Sequence, residues 1–281
     1  MSTKPTSPKH SNYCPTQYWD NYRRHMLSHT GKWVGGEDVT IRGYSLFSDL
    51  FNQISYMQLI VLNVTGRMIE KNLAKWLESN FMVMSYPDAR IWCNQVGALS
   101  GCMGTSPSAA TAAGALAADS RVYGGSQTSK HAMTYIQTAY KRIQAGESIQ
   151  QLVESAPIKQ GRPAIIGFAR PIVRDDERIA PHRQMSKELG FEEGPYMQFA
   201  LELSDYLSEH YNMGINIGGY TSAFMLDQGF TPNELYTIKS ICVASGVTAC
   251  FTEYRERKEH AFLPQHCNDI TYTGPTPRKL V

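Results

Sequence analysis

Apolar residues recur every three or four positions through most of this 281-residue chain, and short polar or glycine-containing segments separate the runs. This spacing places the apolar side chains on one face of a helix. The runs begin near Ser45 and continue to about Arg257. Neither a glycine-rich phosphate loop nor an internal repeat interrupts them. The pattern therefore predicts an all-α fold of about ten helices.

Two helix starts are clearly marked. Thr231 can cap a helix that has Pro232 in its first position, and Glu234 can complete a capping box. Ser106-Pro107 opens a segment rich in alanine and glycine, whose small side chains allow close approach either to core helices or across a dimer interface. The predicted helices are 49–62, 68–77, 87–100, 109–118, 131–145, 197–210, 220–228 and 231–257.

The residues before the helices have a different character. Residues 32–44 alternate enough to predict a short hairpin that turns at a Gly-Gly pair. Residues 1–30 are predicted to form a polar arm, and residues 1–13 lack the apolar core of a secretory signal. No stretch approaches the roughly 18 apolar residues that span a membrane. We therefore expect a cytoplasmic protein without a membrane partner.

Composition narrows the function classes. The chain is 42% hydrophobic and 19% charged, as is usual for a globular protein, and its net charge of +2 does not favour nucleic-acid binding. Its six cysteines form no C-x-x-C pair and its eight histidines have no metal-binding spacing. These features predict free thiols, no metal site and no required cofactor.

Several short motifs in order resemble the citrate synthase superfamily, in the layout of its short, citryl-CoA lyase-like members. Each motif is weak alone, but their order and spacing extend over about 240 residues, and residues 164–281 carry most of them. The matching segments are Arg42-Gly43-Tyr44, Tyr123-Gly124-Gly125, Gly167-Phe168-Ala169-Arg170, Asp176-Glu177-Arg178-Ile179-Ala180, Glu188-Leu189-Gly190, Asn216-Ile217-Gly218-Gly219-Tyr220-Thr221, Gly229-Phe230-Thr231-Pro232, Gly246 with Ala249-Cys250 and Glu253, and Tyr272-Thr273-Gly274-Pro275.

The resemblance implies a large helical domain, a smaller helical domain and a homodimer. It also implies a CoA thioester as substrate, and a carbon–carbon bond that is made or broken beside the thioester carbonyl. On this basis residues 31–150 begin the large domain, 151–225 approximate the small domain, and 226–281 return to the large one. An acyl-CoA or a di- or tricarboxylate is the expected ligand.

The positions that carry acid/base chemistry in that family are altered here. Tyr123 and Ala169 stand where the resemblance implies histidines, and Gly218 stands in place of the carboxylate base. Tyr123 can still donate a hydrogen bond to an enolate oxygen, and Arg170 matches a carboxylate-binding arginine. We expect Tyr123 and Arg170 to be catalytic.

The same resemblance predicts four ligand-binding residues. A cleft widened by two adjacent glycines would admit a bulkier or more anionic ligand. The predicted contacts are Arg170, Gly218, Gly219 and Arg278.

Replacement groups for the lost base are present nearby in the sequence. Loss of one general acid or base costs about 10²- to 10⁴-fold in rate, so the standard citrate synthase reaction is not expected. The alternative to an acid/base role is that these residues are solvated loop residues or, for the cysteine, inert core. The candidates are Asp175, Glu177, Ser126, Lys130 and His131, with Cys250 as a nucleophile.

Three functions remain open at the level of sequence. The first is an enzyme that makes or breaks a carbon–carbon bond by a non-standard mechanism, which Arg170 and Tyr123 favour. The second is a non-catalytic protein that binds CoA or a carboxylate, which Ala169 and Gly218 favour. The third is a structural subunit that pairs with an active relative.

Overall fold

The computed structural model describes residues 27–120, 126–170 and 176–257, together with 16, 19–20, 23, 267–269, 271–276 and 278–279. Residues 1–54 and 55–281 form two compact units. Eleven α-helices lie in the described part of the chain, which confirms the predicted all-α fold. The predicted domain boundaries at residues 151 and 226 stay a prediction.

The first unit contains a three-stranded antiparallel sheet in the order β1-β2-β3. Its strands are β1 (Gly31–Val34), β2 (Asp38–Ile41) and β3 (Tyr44–Ser45). Gly35 and Gly36 form the turn with φ of 55° and 87°, a backbone region that glycine enters without steric cost. The predicted hairpin with its Gly-Gly turn is therefore confirmed. A one-turn π-helix, Leu46–Leu50, follows it.

The second unit is built from the α-helices and a small hairpin. The hairpin pairs β4 (Ile158–Lys159) with β5 (Arg162–Pro163). The helices are α1 (Tyr56–Thr65), α2 (Lys71–Met84), α3 (Trp92–Cys102), α4 (Pro107–Ala118), α5 (Ser126–Gln144), α6 (Ile149–Glu154), α7 (Ile179–Glu188), α8 (Pro195–Tyr211), α9 (Ile217–Asp227), α10 (Pro232–Ile238) and α11 (Ala244–Arg255).

The predicted helix at 49–62 is wrong in its extent. The π-helix ends at Leu50, and α1 begins only after Ser55. Ser55 accepts a hydrogen bond from the Gln58 amide, and the Gln58 side chain accepts one from the Ser55 amide. This capping box starts a new helix, which ends as predicted at Gly66 with φ of 78°.

Two further predicted helices are interrupted or shortened. The helix predicted at 87–100 begins only at Trp92, because the carboxylate of Asp88 accepts from the Arg90 amide and holds the preceding residues in a turn. The long helix predicted at 231–257 breaks after Ile238, where a one-turn 3₁₀-helix (Lys239–Ile241) separates α10 from α11. Periodicity did not reveal this break, because the apolar positions keep their spacing across it.

The main core lies among α1, α2, α5 and α8 to α10. Trp76 is fully buried and stacks on Phe224 with ring centroids 3.8 Å apart. Its indole N–H donates to Ser186 Oγ at 2.8 Å, so the ring leaves no buried donor without a partner. This cluster supports α9, whose first turn forms part of the candidate site below.

A second, smaller core joins α3, α4 and α11. A Cβ added to Gly97 would overlap the Val247 carbonyl oxygen, and one added to Gly114 would overlap the Val247 side chain. The small residues therefore allow close packing within the chain, one of the two roles predicted for them. The opposite face of α4 is open, with Leu116 77% exposed.

One stretch, Pro232–Arg255, is long and apolar enough by length and composition to cross a membrane. This corrects the expectation that no stretch reaches that threshold. Half of its most apolar window is buried inside the fold, as expected for a core helix. The stretch comprises α10, the 3₁₀ turn and α11, so it is not one continuous helix.

The capping box of α10 gives a test of the fold. Thr231→Ala removes the hydroxyl that accepts from the Glu234 amide at 3.2 Å. We expect the free energy of unfolding to fall by about 1 kcal/mol, measured by urea denaturation. Thr252→Ala, at an exposed interior position of α11, is the matched control and should change it by less than about 0.5 kcal/mol. Equal effects of the two substitutions would contradict the capping role.

Candidate functional site

A cavity of about 730 Å³ opens beside the first turn of α9. The β4–β5 hairpin, residues 164–170, the start of α5 and the N-terminus of α9 form its walls. Four cationic side chains line it, and no carboxylate does so among the described residues. This imbalance makes the cavity suitable for an anion. The four cations are Lys159, Arg162, Arg170 and Arg178.

The hairpin holds two of these cations at the rim. Gln160 and Gly161 form its turn with φ of 51° and 76°, the positive values that a tight antiparallel turn requires. Lys159 and Arg162 flank that turn as paired residues of β4 and β5. Both are exposed, so their charges act at the cavity mouth.

At the floor of the cavity, the Asn216 side chain joins the loop at Ala169 to the first turn of α9. Its side-chain oxygen accepts from the amides of Gly218 and Gly219 at 2.9 and 3.1 Å and so caps α9. Its side-chain nitrogen donates to the Ala169 carbonyl oxygen at 2.9 Å. Ala169 has φ of 124°, a conformation that costs an L-residue about 1–3 kcal/mol. The hydrogen bonds of Asn216 hold this strained residue against the start of α9.

Asp176 lies behind the cavity wall and pairs with two of its cations, Arg178 and Arg170. Its side chain is completely buried and accepts two hydrogen bonds at 2.8 Å from the guanidinium of Arg178. It also accepts from the Ile217 amide at 2.8 Å and lies 3.6 Å from Arg170. Burial, the largest single influence, raises the pKa of Asp176, but the hydrogen bonds and charge of Arg178 together with the Ile217 and Arg178 amides outweigh it and hold this pKa below 3.8. The carboxylate is therefore charged at neutral pH.

Arg170 is already paired. Its guanidinium contacts Glu177, whose side chain is 67% exposed, and only 17% of the Arg170 side chain remains exposed. A hydrogen bond from its own backbone amide and the contact with Arg170 lower the pKa of Glu177 despite some desolvation. A carboxylate ligand must displace Glu177 or share Arg170 with it.

The two glycines of α9 have different surroundings. Gly218 lines the cavity, where an added Cβ would approach only Asn216 Oδ1, at 3.0 Å. Gly219 is buried against Gly167, and a Cβ there would overlap the Gly167 carbonyl oxygen. Gly218 therefore widens the cavity, whereas Gly219 permits close packing of two backbone segments.

Solved structures share this architecture. Citryl-CoA lyase from Hydrogenobacter thermophilus has a TM-score of 0.74 at 22% identity, over 92% of this chain and 98% of that chain. ATP citrate lyase from Methanothrix soehngenii, in complex with citrate and coenzyme A, has a TM-score of 0.74 at 16% identity, over 98% of this chain and 46% of that chain. Citrate synthase from Thermotoga maritima has a TM-score of 0.61 at 16% identity, over 81% and 60%.

This chain has the citrate synthase fold. The resemblance inferred from the motifs is thereby confirmed at the level of the fold. The chain spans less than half the length of the ATP citrate lyase. No protein-family model matches the chain, and no curated protein matches it.

Only some of the predicted site residues lie at this cavity of the citrate synthase fold. Arg170, Ala169 and Gly218 come together at the cavity. Arg278 lines a different pocket of about 570 Å³, formed with Tyr272 and neighbouring C-terminal residues. Tyr123 lies outside the described residues, as does Asp175. The binding and catalytic roles of all these residues stay predictions.

The candidate nucleophile Cys250 and a histidine, His182, are both buried away from the cavity. Cys250 is 1% exposed, and burial raises the pKa of its thiol, which makes it a poor nucleophile at neutral pH. His182 is 2% exposed, and burial lowers its pKa. Its Nδ1 is 2.9 Å from the Arg178 carbonyl oxygen, and Asn80 donates to its Nε2 at 3.3 Å. These partners fit a neutral imidazole with a structural role.

Sequence reasoning missed one charged residue behind the cavity wall. Lys239 is 1% exposed, and its side-chain nitrogen donates to Ser129 Oγ at 2.9 Å. A signal was present, because Lys239 follows Leu235 by four positions and precedes Cys242 by three. Those spacings put a lysine on the apolar face of the predicted helix, where an unpaired charge is rare.

The glycine pair gives the first test of the site. Gly219→Ala should lower the free energy of unfolding by about 1–3 kcal/mol or more, because its methyl group would overlap Gly167. Gly218→Ala, one residue away, is the matched control and should cost less than about 1 kcal/mol. Urea denaturation of both variants measures the difference. A larger loss for Gly218→Ala would contradict the assigned packing.

Asp176 gives a pH-dependent test. Its folded pKa is lowered, so its stabilisation is complete above about pH 3.8 and is lost as the pH falls through that lowered pKa. Asp176→Asn should cost about 3 kcal/mol at pH 7, since it leaves a partly buried guanidinium without its carboxylate. Below pH 3.8 the wild type should lose stability more steeply than the variant. Urea denaturation from pH 2 to 7 measures both effects.

The control for this experiment is Asp205→Asn, which alters an exposed carboxylate of α8. Its unfolding free energy should follow that of the wild type across the pH range. An Asp176→Asn curve parallel to the wild type would show that Asp176 does not anchor the arginines.

Proposed function

We propose that this protein binds an acyl-CoA or a di- or tricarboxylate in the cavity beside α9. We further propose that it makes or breaks a carbon–carbon bond next to a thioester carbonyl, by a mechanism without the usual carboxylate base. The observation that carries the proposal is the cavity itself, which has four cationic lining residues and no described carboxylate. The citrate synthase fold supports this assignment of ligand class.

The geometry supports a role for each cation. Arg170 and Arg178 are held by Asp176, so their positions are set before a ligand arrives, which lowers the entropic cost of binding. Arginine also matches a carboxylate with two parallel N–H donors. Lys159 and Arg162 at the mouth would attract an anionic ligand at longer range.

The proposed partners follow from other features. We propose a homodimer, supported by the open face of the small-residue helix α4, where Leu116 is 77% exposed. A cytoplasmic location is supported by the four described cysteines, Cys93, Cys102, Cys242 and Cys250, all of which are free thiols. Nucleic-acid, membrane, metal and cofactor partners are not proposed.

The second candidate is a non-catalytic protein that binds CoA or a carboxylate in the same cavity. Gly218 and Ala169 favour it, because neither side chain can transfer a proton. Turnover separates the two candidates. Cleavage of (3S)-citryl-CoA, or its formation in the reverse direction, supports the enzyme, and binding without any turnover supports the second candidate. In the enzyme, Tyr123→Phe should reduce turnover without a matching loss of affinity.

The ion pair of Arg170 provides the binding test. Glu177→Gln should tighten citrate binding, because it removes the carboxylate that competes for Arg170. Arg170→Ala should weaken binding by about tenfold or more, as expected for loss of a charge-assisted hydrogen bond. Isothermal titration with citrate, CoA and acetyl-CoA, checked by thermal shift, measures both effects.

Arg257→Ala is the control, because Arg257 lies just after the end of α11 and pairs with Glu253. Its affinity for citrate should match that of the wild type. Binding that is insensitive to both Arg170→Ala and Glu177→Gln would place the ligand elsewhere. A wild type that binds none of the three ligands would overturn the proposed function.

A further inference from the structure

Lys239 occupies an unusual position for a lysine. Its side chain is fully enclosed behind the wall of the cavity, in the 3₁₀ turn between α10 and α11. Among the described residues no acidic side chain forms an ion pair with it, and its hydrogen bond goes to the hydroxyl of Ser129 at 2.9 Å. A buried ammonium without a carboxylate is costly, so the neutral amine is favoured.

The charges around Lys239 act in opposite directions. Burial lowers the pKa of Lys239 most strongly, the neighbouring Cys242 thiol raises it, and the Arg178 guanidinium lowers it. A lysine in such surroundings exchanges its proton much nearer to neutral pH than an exposed one.

Ser129 connects this lysine to the cavity. It lies in the first turns of α5 and borders the cavity, although it is only 1% exposed, so a ligand can reach it only from the cavity side. Its carbonyl oxygen accepts from Ser222 Oγ at 3.0 Å, and Ser222 Oγ is also 2.7 Å from the Gly218 carbonyl oxygen. Ser222 therefore fixes the position of Ser129 relative to Gly218, where a side-chain base is missing.

We propose that Ser129 and Lys239 form the proton-transfer pair of this cavity, with Ser129 contacting the ligand and Lys239 acting through Ser129. The inference rests on the proposed function, since it names the group that replaces the carboxylate base. A hydroxyl alone is too weak a base, but it relays a proton when a neutral amine accepts its own. Ser129 is then a catalytic residue, and Lys239 is the residue that activates and positions it.

The step balances in the cleavage direction. The ligand's β-hydroxyl gives its proton to Ser129 Oγ as the Ser129 proton passes to the Lys239 amine. The bond between the hydroxyl-bearing carbon and the carbon next to the thioester breaks. Its electron pair forms the thioester enolate, and the alcohol carbon becomes a ketone. The proton on Lys239 returns through Ser129 to the enolate carbon, so no oxidant, reductant or net proton is needed.

The first test follows deuterium uptake at the α-carbon of acetyl-CoA in D₂O by mass spectrometry. The wild type should exchange these protons. Ser129→Ala and Lys239→Met should each lower the exchange rate by at least about 100-fold. Lys239→Arg should be as slow as Lys239→Met, because a guanidinium does not give up its proton. Lys141→Met, at an exposed position of α5, is the control and should exchange at the wild-type rate.

The outcomes separate this inference from the proposed function. Exchange that survives in Lys239→Arg would mean that only the positive charge matters and would overturn the proton-transfer role. A wild type that binds acetyl-CoA or citrate without any exchange would overturn the pair and leave the binding function intact. A wild type that binds neither ligand would overturn both proposals.

A second measurement does not depend on any variant being active. Nitrogen-15 NMR of lysine-labelled wild type, with Lys239→Arg used only to assign the signal, reports the protonation of the Lys239 amine. The proposal requires the Lys239 amine to lose its proton at a lower pH than the exposed lysines do, and bound citrate to shift that titration upward. A Lys239 signal that stays protonated to pH 10 would overturn it.

Discussion

The buried carboxylate of Asp176 is the interaction on which the site depends. An isolated charge in that position would be strongly unfavourable, so Arg178, the Ile217 amide and Arg170 must gather around it. The same carboxylate thereby fixes the start of α9 relative to residues 170–178. The two arginines present their remaining surface to the cavity, so the placement of two of its four cations follows from a residue that does not line it.

Backbone packing gives the cavity its shape. The Gly167–Gly219 contact lets the loop before Arg170 lie directly on α9, and Asn216 ties that loop to the helix start. Because Gly218 has no side chain, the first turn of α9 presents backbone rather than a carboxylate to the cavity. Its amides are capped by Asp176 and Asn216, so any proton carrier must come from another wall. Ser129 lies on such a wall, with Lys239 behind it.

Local signals in the sequence were sufficient for much of the fold. The all-α class, the Gly-Gly hairpin, the Gly66 stop and the capping box at Thr231 depend on interactions within about five residues, which a sequence pattern records directly. The failures at 51–55 and 87–91 arose from short polar turns inside apolar runs. The break at Lys239 was hidden, because both helices present the same apolar face.

The sequence by itself determined where most helices begin and end, and which site positions carry no acid/base side chain: Ala169 and Gly218 are chemically inert in any fold. Only the tertiary structure decided that Gly219 packs on Gly167, that Arg170 is already paired with Glu177, and that Lys239 reaches Ser129 across 110 residues of sequence. Such contacts depend on distances between elements far apart in the chain, and residue spacing carries no information about those distances.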